Sequence, residues 1–529
     1  MKKLLSALLA AAMLFSVLAA CGSEKDPGTS PAPGASSSTP ASEPSNTVEK
    51  DTFVIGVDAE FTSLAPVTTG TEGSLIFRNG VYETLFVYEE DGTVSPWLAE
   101  SYEWKDETTL VVKLHEGVTF HNGNAFTASD VLYSIKCVAE TPTAASRVAD
   151  IVLEDSYAED DYTVVFKTKG YSAVLVGNLA GELICMMDEE FGTENATLDQ
   201  VANGTGPYCL DAWNMGVNCV ITKNENYWNS AVVDPYFKNI DIRFFNDNTT
   251  AFLEYESGTL DAVYVENAEA IERLIAGEVA GTYYTTEGTN FVTSLFMSQN
   301  VGEEFKDINL RKAIAHAIDV ETLVSVICGN SVKVATSMFP VGMAGYKEFG
   351  NYEYNEELAK SCLEQYKADH GVDTVELTAT LPATGYNEKL AEGIQQYLNK
   401  IGITMTIQTG AVSDIIPLMM SGTVNFGISS CGGGTDPADM FVAMRRTTAN
   451  LLTKFADENM LDLIDNATYE ADWDTRMGMY ETIQQTVYDN YYFVPLYEVI
   501  HYYAVSDAID GFVYGTGHGV MPAYLTAAG

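Results

Sequence analysis

The sequence predicts an α/β protein of at least two lobes, with mixed sheets and flanking helices, on three observations. Beyond an apolar leader and a polar stretch, about 480 residues remain, more than the ~250–300 at which a single hydrophobic core stops growing. In the first half, short runs of alternating apolar residues end at Gly, Asn or Asp, the pattern of strands and hairpins. In the second half helical spacing dominates, and a helix, a glycine and an alternating run follow one another over residues 387–407, as in a crossover unit.

Taken in order, residues 52–57 form a first buried strand, and residues 85–94 a hairpin turning at Asp91-Gly92. A second hairpin-like pair contains the strand 109–114, which runs into a turn at Gly117. Thr127 and Asp130 have capping-box spacing and open a helix with Val131, Ile135 and Val138 on one face. A further hairpin spans 208–222 around Asn214-Met215-Gly216. Leu310, Ala313, Ile314, Ala317 and Ile318 keep helical spacing, and Asp319 caps a second helix that buries Leu323, Val324 and Ile327 and stops at Gly329. Asn387 is expected to cap a helix carrying Leu390, Ile394 and Leu398, ended by Gly402 and followed by a strand through Ile403, Met405 and Ile407. A last helix carries Tyr480, Ile483 and Val487 and leads into an aromatic, strand-like run over 491–503.

The start of the chain has its own logic. Lys2 and Lys3 precede an apolar run over 4–20, closed by Leu18-Ala19-Ala20 before Cys21. A positive end, a short apolar core and small residues make an export signal. With cysteine next, the segment resembles the lipobox of bacterial lipoproteins, which implies a lipid on Cys21; an ordinary signal peptide with a chance cysteine, or an uncleaved membrane anchor, is the plain alternative. Residues 22–49 are crowded with Ser, Pro, Ala, Gly and Thr. Such a segment has little to bury and reads as a tether.

With 28 basic and 74 acidic residues the net charge is −46. That excludes a nucleic-acid binder, which needs a basic footprint, and docking onto anionic lipid by charge; a cationic solute stays open. Of eight cysteines, Cys21 apart, seven are scattered too widely for a disulfide framework. Cys209 and Cys219 flank a hairpin turn too short to set them opposite each other. No catalytic residue and no metal ligand stands out. The six histidines include no His-Glu-x-x-His pair, and His115 and His121 read as structural. Neither Gly-x-Ser-x-Gly nor Ser-x-x-Lys occurs, so a secreted hydrolase has little to rest on, and no cofactor is expected.

The order of several segments carries a resemblance. Residues 94–101, 114–123 and 126–131 are followed by Gly204-Thr-Gly-Pro-Tyr208, Asn224-Glu-Asn-Tyr-Trp228, the stretch 253–261 ending Glu-Ser-Gly-Thr-Leu-Asp, Leu310-Arg-Lys-Ala-Ile-Ala-His-Ala-Ile-Asp319, Lys400-Ile-Gly-Ile403 and Pro495-Leu-Tyr497. Together they resemble family 5 of the extracellular solute-binding proteins, the peptide- and nickel-binding components of ABC importers. The resemblance implies a two-lobed, hinged periplasmic-binding-protein fold of the large three-subdomain type. Lobe I spans 51–288 with an inserted subdomain at roughly 85–210, lobe II spans 289–490, and residues 491–529 return to lobe I. It also implies a monomer that delivers a small solute to ABC importer permease subunits.

The chain departs from the family where the solute is named. Peptide-binding members carry Trp-x-x-Asp-x-x-Asp-Pro, whose first Asp pairs with the peptide amino group. Here Ser430 stands at the Trp position and Gly433 at that Asp, while Asp436-Pro437 matches the ending. No basic residue occupies 381–386, where dipeptide-binding members place a carboxylate-gripping Arg. The expected solute contacts are Phe61, Thr62 and Ser63 after the first strand, and Cys431, Gly432, Gly433, Gly434 and Asp436, where glycines admit close backbone approach. Asp436 has an equal claim as a local loop brace. Peptide-like solute is the leading reading, with an oligosaccharide or a nickel chelate as the alternative.

Overall fold

The computed structural model describes residues 50–528 apart from 69–70, 90–92, 143, 196–197, 287–290, 300–301, 433–435, 442–456 and 516–518. The leader, Cys21 and the tether up to residue 49 lie outside the described residues, as do Gly433, Gly434 and the Asp91-Gly92 turn.

Two large mixed sheets organise the body. A seven-stranded sheet has the order Thr282–Thr285, Tyr502–Val505, Ala262–Val265, Thr52–Val57, Asn239–Phe244, Asn218–Lys223, Tyr208–Asn214. Its three central strands are parallel and the outer ones antiparallel. A six-stranded sheet has the order Lys333–Val334, Phe493–Glu498, Phe291–Met297, Phe426–Gly432, Val375–Pro382, Ile403–Gly410. A four-stranded antiparallel sheet, Ala99–Asp106, Thr109–Leu114, Thr163–Lys167 and Tyr157–Asp160, is inserted between strands of the first and has its own core with Leu110, Val112, Phe126, Val131 and Phe166. The first lobe is thus built on the seven-stranded sheet with this insertion, the second on the six-stranded sheet.

The helices form where the spacing places them. Ala128–Glu140 buries Val131, Ile135 and Val138, and the Asp130 carboxylate accepts from the Thr127 N–H at 2.8 Å and its hydroxyl at 2.9 Å. Asp319 caps Val320–Cys328 by accepting from the Thr322 N–H. The crossover unit Val375–Pro382, Asn387–Ile401, Ile403–Gly410 has parallel strands and a left-handed Gly402 between helix and strand.

Two readings are corrected. Asn387 is the first residue of its helix and not its cap: Tyr386 precedes it, and the Asn387 side chain donates back to the Pro382 carbonyl. The aromatic run 491–503 is two strands in different sheets, Phe493–Glu498 and Tyr502–Val505, with the chain passing between lobes at 499–501. Aromatic, strand-like character does not reveal that its two halves bury against separate cores.

The Gly204-Thr-Gly motif marks a close approach. A Cβ on Gly204 would lie 1.9 Å from the Val81 carbonyl oxygen, and one on Gly206 2.6 Å from that of Gly80. His121 clamps this loop, accepting from the Gly204 N–H at 3.3 Å through Nδ1 and meeting the Gly206 carbonyl at 3.0 Å through Nε2. Burial holds its pKa below the usual histidine value, so His121 serves as a neutral structural bridge.

Candidate functional site

In open sheets the carboxyl ends of parallel strands are where ligands collect. The strands Thr52–Val57, Asn239–Phe244 and Ala262–Val265 run in parallel and so deliver Asp58, Phe245 and Glu266 to one edge. Tyr502–Val505 runs antiparallel, with Tyr502 opposite Val265, which brings His501 to the same edge. Glu72 opens the helix Glu72–Val81 there.

Glu72 is the centre of this group. It is buried, accepts from the hydroxyls of Tyr503 at 2.9 Å and Tyr514 at 3.3 Å, and lies 3.0 Å from His501 Nδ1. The same ring nitrogen lies 3.1 Å from the Tyr264 hydroxyl. Burial, reinforced by the Glu72 charge, pushes the three tyrosines well above their usual range, so all three remain hydrogen-bond donors at physiological pH. Asp58 is pushed up to about 7, by burial first and then by repulsion from Glu266 and Glu72. Its Oδ1 is buried with no hydrogen-bond partner. Glu266 is exposed as a residue, yet desolvation of its carboxyl raises its pKa, with His501 pulling the other way. Asn248 fixes the loop that carries it, accepting from the N–H groups of Glu266 and Asn267.

Of the residues singled out after the first strand, Phe61 is buried, its ring 5.5 Å from Phe77, 5.4 Å from Trp213 and 5.2 Å from Phe244. Thr62 is exposed. Ser63 donates to Asp199 at 2.6 Å and accepts from the Ala65 N–H. Beside them Glu60 accepts from Trp213 Nε1 and the Gly216 N–H, both at 2.9 Å, anchoring a hairpin tip whose Met215 and Val217 stand exposed.

On the second lobe, Phe291, Gly432 and Glu498 share the corresponding edge. Cys431 is half-buried, and burial pushes its thiol up to about 11; it is protonated at neutral pH and a poor nucleophile. Gly432 has φ 131°, a conformation open to glycine. Both Asp436 oxygens are engaged within the protein: Oδ1 accepts from the Ala438 N–H at 2.9 Å, and Oδ2 pairs with Arg476 Nη2 at 2.7 Å. Arg476 is itself buried beneath Trp473. Tyr386 and Tyr497 meet edge to face, and Tyr386 shares a 2.7 Å hydrogen bond with Ser331. The link over 499–501 joins the two edges, held by the His501 N–H to Thr286 Oγ1 at 3.1 Å and the Val499 N–H to the Phe291 carbonyl at 3.2 Å.

The edges of the two sheets thus face a common link, one lined by several carboxylates and tyrosines and the other by hydroxyls, a thiol, backbone and the single carboxylate of Glu498. Residues 93–451 match the sequence model of the bacterial extracellular solute-binding proteins, family 5. The chain belongs to this family. Among family relatives, it is 25% identical over 364 residues to the glutathione-binding protein GsiB of Pectobacterium atrosepticum, covering 67% of this chain and 68% of the relative. It is 23% identical to the dipeptide-binding protein DppE of Bacillus subtilis, covering 82% and 84%, and 23% identical to the nickel-binding periplasmic protein of Escherichia coli, covering 83% and 88%. In structure it is similar to the oligopeptide-binding protein AppA of Bacillus subtilis in complex with a nonapeptide, with TM-score 0.76, 20% identity and coverage of 91% and 99%. It is likewise similar to DppA of Helicobacter pylori in complex with a peptide, with TM-score 0.76, 22% identity and coverage of 90% and 97%. The two-lobed fold of the family is therefore the fold of this chain.

The carboxylate edge escaped sequence reasoning. Asp58, Glu72, Glu266 and His501 are far apart in the chain, and 74 acids hide three that converge. The usable signal was positional: Asp58 directly follows the first buried strand and Glu266 another. Among the described residues, no group of three or more His, Cys, Asp or Glu side chains is arranged to hold a metal ion, and no helix is long and apolar enough to cross a membrane.

Proposed function

We propose that this protein is the extracytoplasmic solute-binding component of an ABC importer and captures a peptide-like solute between its lobes for delivery to the permease. The family match over 93–451 carries the reading, and the relatives named for glutathione and dipeptides favour a peptide-like solute. Only a closed form touches solute from both edges, so binding favours closure. Phe61, Thr62, Ser63, Cys431, Gly432, Gly433, Gly434 and Asp436 remain the proposed contacts by family position; the ring packing of Phe61 and the internal bonds of Ser63 and Asp436 favour a supporting part for those three. The protein works as a receptor and not as an enzyme, as a monomer, with one lobe boundary near 288 and the return to the first lobe after Glu498 rather than near 490. A lipid on Cys21 holds it at the membrane, and the Ser/Pro-rich tether gives it reach.

A thermal-shift screen tests the solute. Di- to hexapeptides and glutathione are expected to raise the melting temperature; silence across all of them ends the peptide reading. The missing amino- and carboxylate-pairing residues, Gly433 and the uncharged 381–386 segment, favour a second reading, an oligosaccharide or a nickel chelate. Cello- and xylo-oligosaccharides and nickel with histidine belong in the same screen. Labelled fatty acid is expected to be incorporated by the wild type and lost in Cys21→Ala.

A further inference from the structure

Away from the carboxylate edge, the inserted subdomain of the first lobe touches the second lobe directly. Ser172, Ala173 and Val174 follow the strand Thr163–Lys167 of the four-stranded sheet. They meet the end of the helix Glu458–Tyr469, which packs in the second lobe. Three features make this contact specific. The Ala173 N–H donates to the Thr468 carbonyl at 3.1 Å, across the lobes. Asp150 of the insertion, only 2% exposed, accepts from the Ser172 hydroxyl at 2.9 Å through one oxygen and from the Tyr469 hydroxyl at 3.1 Å through the other. Val174, 3% exposed, belongs to the core cluster of Met460, Leu461, Ile464 and Ala467 rather than to that of its own sheet.

We propose that this contact is a latch: a set of bonds, outside the solute-binding edge, that holds the two lobes together and biases the protein toward closure without touching solute. None of the groups on the carboxylate–tyrosine edge takes part in it. Opening exposes Val174 and the part of the 458–469 helix that it covers, and leaves a buried carboxylate short of one donor, so the latch favours the closed form. A binding protein whose competent state is fractionally populated has an apparent Kd equal to its intrinsic Kd divided by that fraction. The latch therefore scales affinity for every solute by one factor, whereas edge residues discriminate between solutes. The inference rests on the two-lobed closing reading but on no particular solute.

Three variants of the full chain test it, all without added solute. Ala173→Cys with Thr468→Cys is expected to cross-link under mild oxidation, giving a gel shift reversed by dithiothreitol. Adding Val174→Asp is expected to slow that cross-linking about tenfold or more, the scale of exposing one valine side chain, and by itself to enlarge the radius of gyration in X-ray scattering. Tyr469→Phe removes one hydroxyl from Asp150 and is expected to shift both readouts the same way by less, in a protein whose circular dichroism matches wild type. The latch is overturned if the cysteine pair does not cross-link, or if folded Val174→Asp or Tyr469→Phe leaves both readouts at wild-type values. A wrong solute class changes neither readout, so failure of the latch and failure of the peptide reading are told apart.

Discussion

Removing the Asp436 carboxylate takes the counter-charge from a guanidinium whose side chain is only 5% exposed. An unpaired buried charge costs about 3–5 kcal/mol, so Asp436→Ala is expected to lower unfolding stability by that amount in urea titration, with or without solute. A residue that serves only as a ligand contact would change affinity and leave the unfolding midpoint in place. Asp58 makes a prediction of opposite sign. Its pKa rises from 3.8 unfolded to about 7 folded, so between those values the folded state binds the extra proton and stability falls as pH rises. At ~1.36 kcal/mol per unit, about 4 kcal/mol is the upper bound for this partly exposed group. Asp58→Asn is therefore expected to raise the melting temperature at pH 8 and to flatten its decline between pH 4 and 7.

At the scale of elements, the glycines of the Gly204-Thr-Gly motif show what a sequence signature stands for. Gly204→Ala drives a methyl group into the Val81 carbonyl oxygen, an overlap that only a backbone shift relieves. A loss of at least 1–3 kcal/mol is expected, the range for forced overpacking, read as a lower melting temperature. Asp130→Ala removes an acceptor for both the Thr127 N–H and the Glu189 N–H, and is expected to cost about 1–2 kcal/mol. Local signals of this kind were legible in advance: the capping box, the Gly402 stop and the first strand depend on neighbours in sequence. The 491–503 run was not resolved into two strands, because its division depends on which core each half meets. The carboxylate edge was hidden for the same reason, since Asp58, Glu266 and His501 become neighbours only through the order of strands in a sheet. The Asp436 brace was half legible: its bond to the Ala438 N–H is local, while Arg476 lies forty residues on.

For the whole molecule, the net charge of −46 opposes compaction through self-repulsion. Melting temperature is expected to climb as sodium chloride rises from about 10 mM to physiological strength, where the Debye length contracts from ~30 Å to ~8 Å. A flat salt profile would show the acids too dispersed to matter.

The position of Tyr502–Val505 between Ala262–Val265 and Thr282–Thr285 also orders events in time. As the exported chain emerges amino terminus first, the lobe begun first waits longest. Until residue 505 is available, Thr282–Thr285 has no strand beside it and the first core is missing Tyr503 and Val505. The second lobe's sheet, complete by Glu498, can close earlier. The chain thus emerges from the amino terminus while consolidation runs backwards, and a truncation of the last thirty residues strikes the half of the molecule that emerged first.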